Sequence, residues 1–303
     1  MIFKEIIFNF INNNKKLVLS NILVGSLIQI IKVFLLPYVY SNIINNMDII
    51  EDKLVNVVYV WVILCILFIA KSKLETEIYS SLLFYVRNIL YKRYIVNNYY
   101  DFNDSNTNIY VQLIVDSSKL CRDLFILISQ TLIPTFVLII GMNIYFLTIF
   151  PEVGIINTLS NIFNYMIIKY FQGNILELID TQQNIYMGIV NKMYETFNNI
   201  MDIFLNIKYD DNMNNYIKLE SDYKKIHIKL FYTINNLITT LKINNYIFAF
   251  ISIYTLYKLY DKKYIINNLL IYTFYINQFQ ELTEQVPRLF ISLFNLHYIE
   301  KKK

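Results

Sequence analysis

LFILISQTLIPTFVLIIGMNIYFLTIFP, residues 124–151, runs for 28 residues without a charge. A hydrocarbon core about 30 Å thick needs about 20 apolar residues in a helix. Backbone surrounded by lipid satisfies its own hydrogen bonds only as a helix or a closed barrel. The stretch lacks the strict alternation of a barrel strand, so it is read as a transmembrane helix. Working outward from it, five further apolar stretches lie near 17–44, 54–70, 153–168, 230–257 and 264–280. The expected fold is an all-α membrane protein with six transmembrane helices, one domain over residues 1–303.

Composition agrees. Hydrophobic residues make up 56% of the chain and charged residues 17%, against about 25% charged in soluble domains. The 27 Tyr and 22 Phe, with abundant Ile, Asn and Lys, are those of a low-GC coding sequence. Asn and Tyr inside the spans are therefore discounted as signals of function. A net charge of +4, spread along the chain, gives no case for nucleic acid. Cys65 and Cys121 form neither a CxxC nor a ligand cluster, which argues against a disulfide framework and a metal site. Residues 1–16, MIFKEIIFNFINNNKK, lack the layout of a signal peptide and read as a short amphipathic helix on the membrane surface.

The loops after spans one, three and five are short. Those after spans two and four are long, covering 71–123 and 169–229, and residues 281–303 form a tail. With the amino terminus inside, 21 Lys and Arg fall inside and 4 outside. The positive-inside rule then makes the chain a multi-pass membrane protein with both termini and both long arms in the cytoplasm. Each arm is helix-compatible with a polar break near its middle, NNYYDFNDSNTN at 97–108 and NIKYDDNMNN at 206–215. Each is expected to form a helical hairpin reaching about 40 Å beyond the bilayer, at 1.5 Å per residue. Ordering such an arm costs conformational entropy that contacts must offset, so it is expected to dock against a neighbour or a cytoplasmic partner.

In the first arm, Tyr99, Tyr100 and Asp101 precede Asn106, Thr107, Ile109, Leu113 and Asp116. With the six spans, the amphipathic lead and the two long arms, this arrangement resembles the transmembrane domain of ABC exporters. The resemblance covers nearly the whole chain. Asp116 stands in register with an aspartate of that family, whereas Thr107 and Gln112 replace its usual Gly and Arg. In the second arm Glu195, Phe197, Ile200 and Ile203 follow a family spacing, while Asn199 and Phe204 stand where Gly and Lys are usual.

The resemblance implies that the arm tips, about Tyr99 to Asn108 and Asp202 to Asn212, carry coupling helices that fit clefts on ATP-binding domains. Tyr99, Tyr100, Asp101, Asp104, Thr107, Asp116, Asp202, Asp210 and Asp211 are the candidate coupling residues. It also implies a homo- or heterodimer, with the second arm crossing to the ATPase of the opposite subunit. The tail, LTEQVPRLFISLFNLHYIEKKK, resembles the lead into a nucleotide-binding domain, and the chain ends at Lys303 where that domain is expected to begin. Glycines at 25, 141, 154, 173 and 188 allow no GxxxxGK[ST] phosphate loop. The chain is therefore expected to bind no cofactor and not to act as an enzyme. ATP and its magnesium are expected on a separate nucleotide-binding ATPase subunit.

Lys32 and Lys242 fall near the middle of spans one and five, where a charge is costly. They either face a central cavity and attract an anionic cargo, or snorkel to a watery surface. Tyr272, Phe274, Tyr275 and Phe279 either line a path with them or form a packing stripe. Pro37, Pro134 and Gly141 are expected to mark kinks. His227 and His297 are read as surface or packing residues. The aspartates at the exposed tips are turn or docking residues, with no burial to separate their pKa values for acid-base work.

The leading expectation is the membrane subunit of an exporter in the membrane, lipid-embedded and driven by an ATP-binding partner. The alternative is a non-transporting scaffold derived from one. A channel or secondary carrier fits less well, since such proteins show broken helices or intramembrane acids at their coupling sites.

Overall fold

The computed structural model describes residues 2–44, 50–97, 107–201, 209–259 and 262–301. Every regular element among them is helical: α1 (Ile2–Asn13), α2 (Lys15–Ile30), α3 (Leu36–Ile44), α4 (Ile50–Asn97), α5 (Thr107–Ile126), α6 (Ile133–Ile149), α7 (Pro151–Asn198), α8 (Tyr209–Leu259) and α9 (Lys262–Lys301). In the two arms the described helices α4 and α7 end at Asn97 and Asn198, and α5 and α8 begin at Thr107 and Tyr209. The polar stretch 206–215 is helical from Tyr209 onward, and 98–106 and 202–208 lie outside the described residues.

Four segments are long and apolar enough to cross a bilayer: Lys15–Ile44, Leu54–Arg93, Ile114–Ile149 and Asp210–Leu259. In the most apolar window of Leu54–Arg93 only 11% of the residues are buried inside the protein. Trp61, Ile66 and Ile69 lie bare on its surface. A helix apolar on all sides and left uncovered by protein belongs in lipid. The stretches 153–168 and 264–280 lie inside the long helices α7 and α9, but asparagines dilute their hydropathy.

Two π-helical turns interrupt the first and third apolar segments, at Ile31–Leu35 and Leu127–Leu132. Each lies directly ahead of a proline, Pro37 and Pro134. A proline inside a helix donates no N–H and its ring crowds the carbonyl four residues back. Those carbonyls belong to Val33 and Gln130, within the widened turns, so the π register relieves the crowding. Gly141 marks no such break, and α6 runs through it.

The chain divides into two compact units, residues 1–163 with 242–303, and residues 164–241. In the first unit α4 packs on α5, α2 and α3, and α9 packs on α3, α5, α6 and both π turns. The amphipathic α1 places Ile6 and Phe10 against α4 and α5. The Phe10 ring meets Tyr85 at 5.6 Å and Phe125 at 6.2 Å between centroids. Its apolar face is thus taken up by protein, while Phe8 stays exposed.

The connection from α6 to α7 is the single residue Phe150. Pro151 opens α7 with its preset φ, and Glu152 follows in the first turn, where the helix dipole favours an acid. So tight a reversal brings helices into backbone contact. A Cβ added at Gly154 would stand 2.6 Å from the Leu147 backbone nitrogen. In the second unit, the later half of α7 and the earlier half of α8 bury Ile175, Leu178, Ile179, Leu230 and Leu237. The outer side chains of the same helices, Tyr170, Phe197 and Tyr232, are left exposed.

Gly154→Ala is expected to lower the stability of the purified protein by about 1–3 kcal/mol, the usual cost of overpacking. Gly141→Ala, whose added methyl meets nothing within 4 Å, is expected to leave it unchanged or raise it by up to about 1 kcal/mol. Thermal unfolding in detergent compares the two.

Candidate functional site

The first unit is held together by a polar core around α9. The Tyr272 hydroxyl lies 3.1 Å from Asn157 Oδ1 on α7 and 3.0 Å from Ser252 Oγ on α8, so it joins three helices. The Tyr145 hydroxyl on α6 donates to Asn268 Oδ1 at 3.0 Å, and Ser41 Oγ on α3 donates to Asn267 Oδ1 at 3.1 Å. Asn244 Nδ2 on α8 donates to the Ser160 carbonyl on α7 at 3.4 Å. Asn157, Asn268 and Ser252 are almost wholly buried. Hydrogen bonds between helices in an apolar solvent contribute about 0.6–2 kcal/mol each, because the alternative is an unpaired group in hydrocarbon. The discounting of Asn and Tyr within the spans is therefore corrected at these positions. Their signal lies in the pairing of distant helices, which composition does not reveal.

Tyr272 and Tyr275 are 2% and 4% exposed. They belong to a closed core with Met142, Phe146 and Phe279. The Phe146 and Tyr272 rings meet edge to face, 5.5 Å apart. The aromatic residues read as either path or packing are, at these two positions, packed between helices around a small crevice shared with Asn157, Ser160, Asn161 and Asn245.

Lys242 Nζ donates to Glu284 Oε1 on α9 at 2.6 Å. Lys242, read as a lone charge, thus has a partner, Glu284, which lies in sequence beyond the apolar stretch 264–280. Lys32 is half-buried in the first π turn, with its ammonium 5.1 Å from the centroid of the Phe68 ring. A cation–π contact of this kind offsets part of the cost of a charge at that depth.

Of the candidate coupling residues, Asp116 is exposed on α5, and Asp210 and Asp211 are exposed in the first turn of α8. Thr107 opens α5. Tyr99, Tyr100, Asp101, Asp104 and Asp202 lie outside the described residues. His227 has a packing role. Its ring stacks on Tyr223 with centroids 5.7 Å apart, and its Nδ1 lies 2.8 Å from Gln182 Nε2. Among the described residues, no group of three His, Cys, Asp or Glu is placed to hold a metal ion. Cys65 is exposed, Cys121 is buried, and neither forms a disulfide.

Two outcomes follow. Tyr272→Phe is expected to cost about 1 kcal/mol, the worth of one interhelical bond in an apolar surround, read by unfolding in mixed detergent. The Lys242 hydrogen bond and charge hold the Glu284 carboxyl below the ordinary carboxylate range. A carboxyl lowered in the folded state contributes stability above its unfolded pKa, and the contribution is lost as pH falls through the folded value. Wild type is expected to melt above Glu284→Gln near neutral pH, with the difference vanishing in acid.

No protein-family model and no curated protein matches the sequence. Among solved structures, the chain is similar to a bacterial Atm1-family ABC exporter with ATP bound. The TM-score is 0.77 at 9% identity, covering 96% of this chain and 52% of the other. The chain thus spans about half the length of the exporter it matches. With its long apolar helices, this is a multi-pass membrane protein with an ABC exporter-like, all-helical fold.

Proposed function

We propose that the chain is the membrane-spanning subunit of an ABC-type exporter, forming the translocation path and coupling to a separate ATP-binding partner. The observation that carries this reading is the fold likeness over 96% of the chain. In this reading the six apolar stretches cross the bilayer. Helices of 48 residues in α4 and α7 and 51 in α8 extend to about 72–76 Å at 1.5 Å per residue, far more than a bilayer needs. The excess forms the two cytoplasmic hairpins, with both termini on the same side.

The mechanism is alternating access. ATP and its magnesium are bound by the partner, whose closure pushes the arm tips, and long helices transmit the push because a continuous helix does not bend without a proline, a bulge or an inserted group. The exposed apolar side chains of the second unit, Tyr170, Phe197 and Tyr232, support dimerisation, since two helices bury only the seam between them.

A second reading, an exporter-derived scaffold that no longer transports, is favoured by the absence of any sequence-level match and by the departures at Thr107 and Asn199. The two readings differ at the tips. Tyr100→Ala with Asp101→Ala is expected to reduce association with the ATPase partner at least about tenfold, equivalent to about 1.4 kcal/mol, while membrane insertion is unchanged. Quantitative pull-down from detergent extracts measures it. Undiminished association removes the coupling role of the first tip.

A further inference from the structure

The polar core around α9 holds amide donors that its own acceptors do not satisfy. Asn157 is 2% exposed, and its Oδ1 is engaged by the Tyr272 hydroxyl, but its Nδ2 meets no protein acceptor. Asn161, four residues on and so on the same face of α7, also has a buried Nδ2 that makes no well-formed hydrogen bond, its nearest polar neighbour being the Tyr275 hydroxyl. Both side chains line the crevice between α7, α8 and α9, together with Ser160, Asn245, Tyr272 and Tyr275. About 10 Å³ of it is open to the centre of a water molecule, and about 10–15 Å³ is what one water requires.

We propose that this crevice is a binding site for one ordered water, which accepts hydrogen bonds from the Asn157 and Asn161 amides and bridges α7 to the tyrosine face of α9. The lining fits water and not an anion or cargo. It carries no charge, the nearby Lys242 is engaged by Glu284, and the volume admits a single small molecule. A water also donates, and the Tyr275 hydroxyl beside Asn161 is an oxygen within the same lining. Buried amide N–H groups are costly to leave without an acceptor, and a water held by two to four polar groups removes that cost. The site also accounts for two of the three asparagines that lower the hydropathy of 153–168, Asn157 and Asn161, which are placed to hold water and not to face lipid.

Radiolytic hydroxyl-radical labelling of the full chain in lipid nanodiscs, read by mass spectrometry, tests the site, because a bound water is a local source of radicals. Tyr272 and Tyr275 are expected to be oxidised despite their burial. Met142, fully buried in the same apolar core, is expected to stay unmodified and serves as the dry control. Labelling of both tyrosines is expected to be lost in Asn157→Leu and in Asn161→Leu. Tyrosines as inert as Met142 in the wild-type chain would overturn the proposal, and that comparison stands even where a variant does not fold. So would labelling that persists in folded variants, or labelling of Met142 as well, which would mean open access of bulk water.

Discussion

Everything in this protein answers to one constraint: within lipid, a polar group finds its partner in the protein or pays for desolvation. Helices satisfy the backbone. Side chains need the neighbouring helix, and here α9 supplies most of the answer. Asn267, Asn268 and Tyr272 bond to α3, α6, α7 and α8 in turn. Apolar side chains gain little by leaving lipid for one another, so van der Waals packing and such bonds set which helices meet. The outward faces, as on α4, are simply greasy, and the first unit is apolar outside and selectively polar within.

The same constraint shapes the irregular places. A proline in a lipid-embedded helix frees a carbonyl that water cannot reach, and the π turns before Pro37 and Pro134 are the local adjustment. Both turns pack against α9, so the element that carries the polar contacts also supports the two weakest turns of its neighbours. The turn at Phe150 shows the opposite extreme. There Gly154 lets two backbones approach as closely as they can, and a one-residue connection suffices.

Legibility in the sequence followed the range of the interactions involved. The 28 uncharged residues at 124–151 and the amphipathic lead are local patterns, and each carries its own evidence, whereas the polar stretch read as a break at 206–215 is helical from Tyr209 onward. Pro37 and Pro134 were readable as kinks, though not as π turns. Partnerships between distant residues were not readable. Lys242 and Glu284 are 42 positions apart, and Tyr272 and Asn157 are 115 apart. Without their partners, the lysine looked like an isolated charge and the asparagine like compositional drift. Resemblance supplied the coupling role of the arm tips, where Tyr99, Tyr100, Asp101, Asp104 and Asp202 lie outside the described residues.

A helical fold shared with an exporter does not by itself make a transporter, and what separates a working membrane subunit from a retired one is the engine it holds. Gentle purification of the tagged chain from its native cell, with mass spectrometry and an ATPase assay on the preparation, addresses that directly. The account predicts a stoichiometric ATP-binding protein and ATP hydrolysis that co-elutes with the chain. A chain that repeatedly elutes alone or only with copies of itself, without ATPase activity, would contradict it.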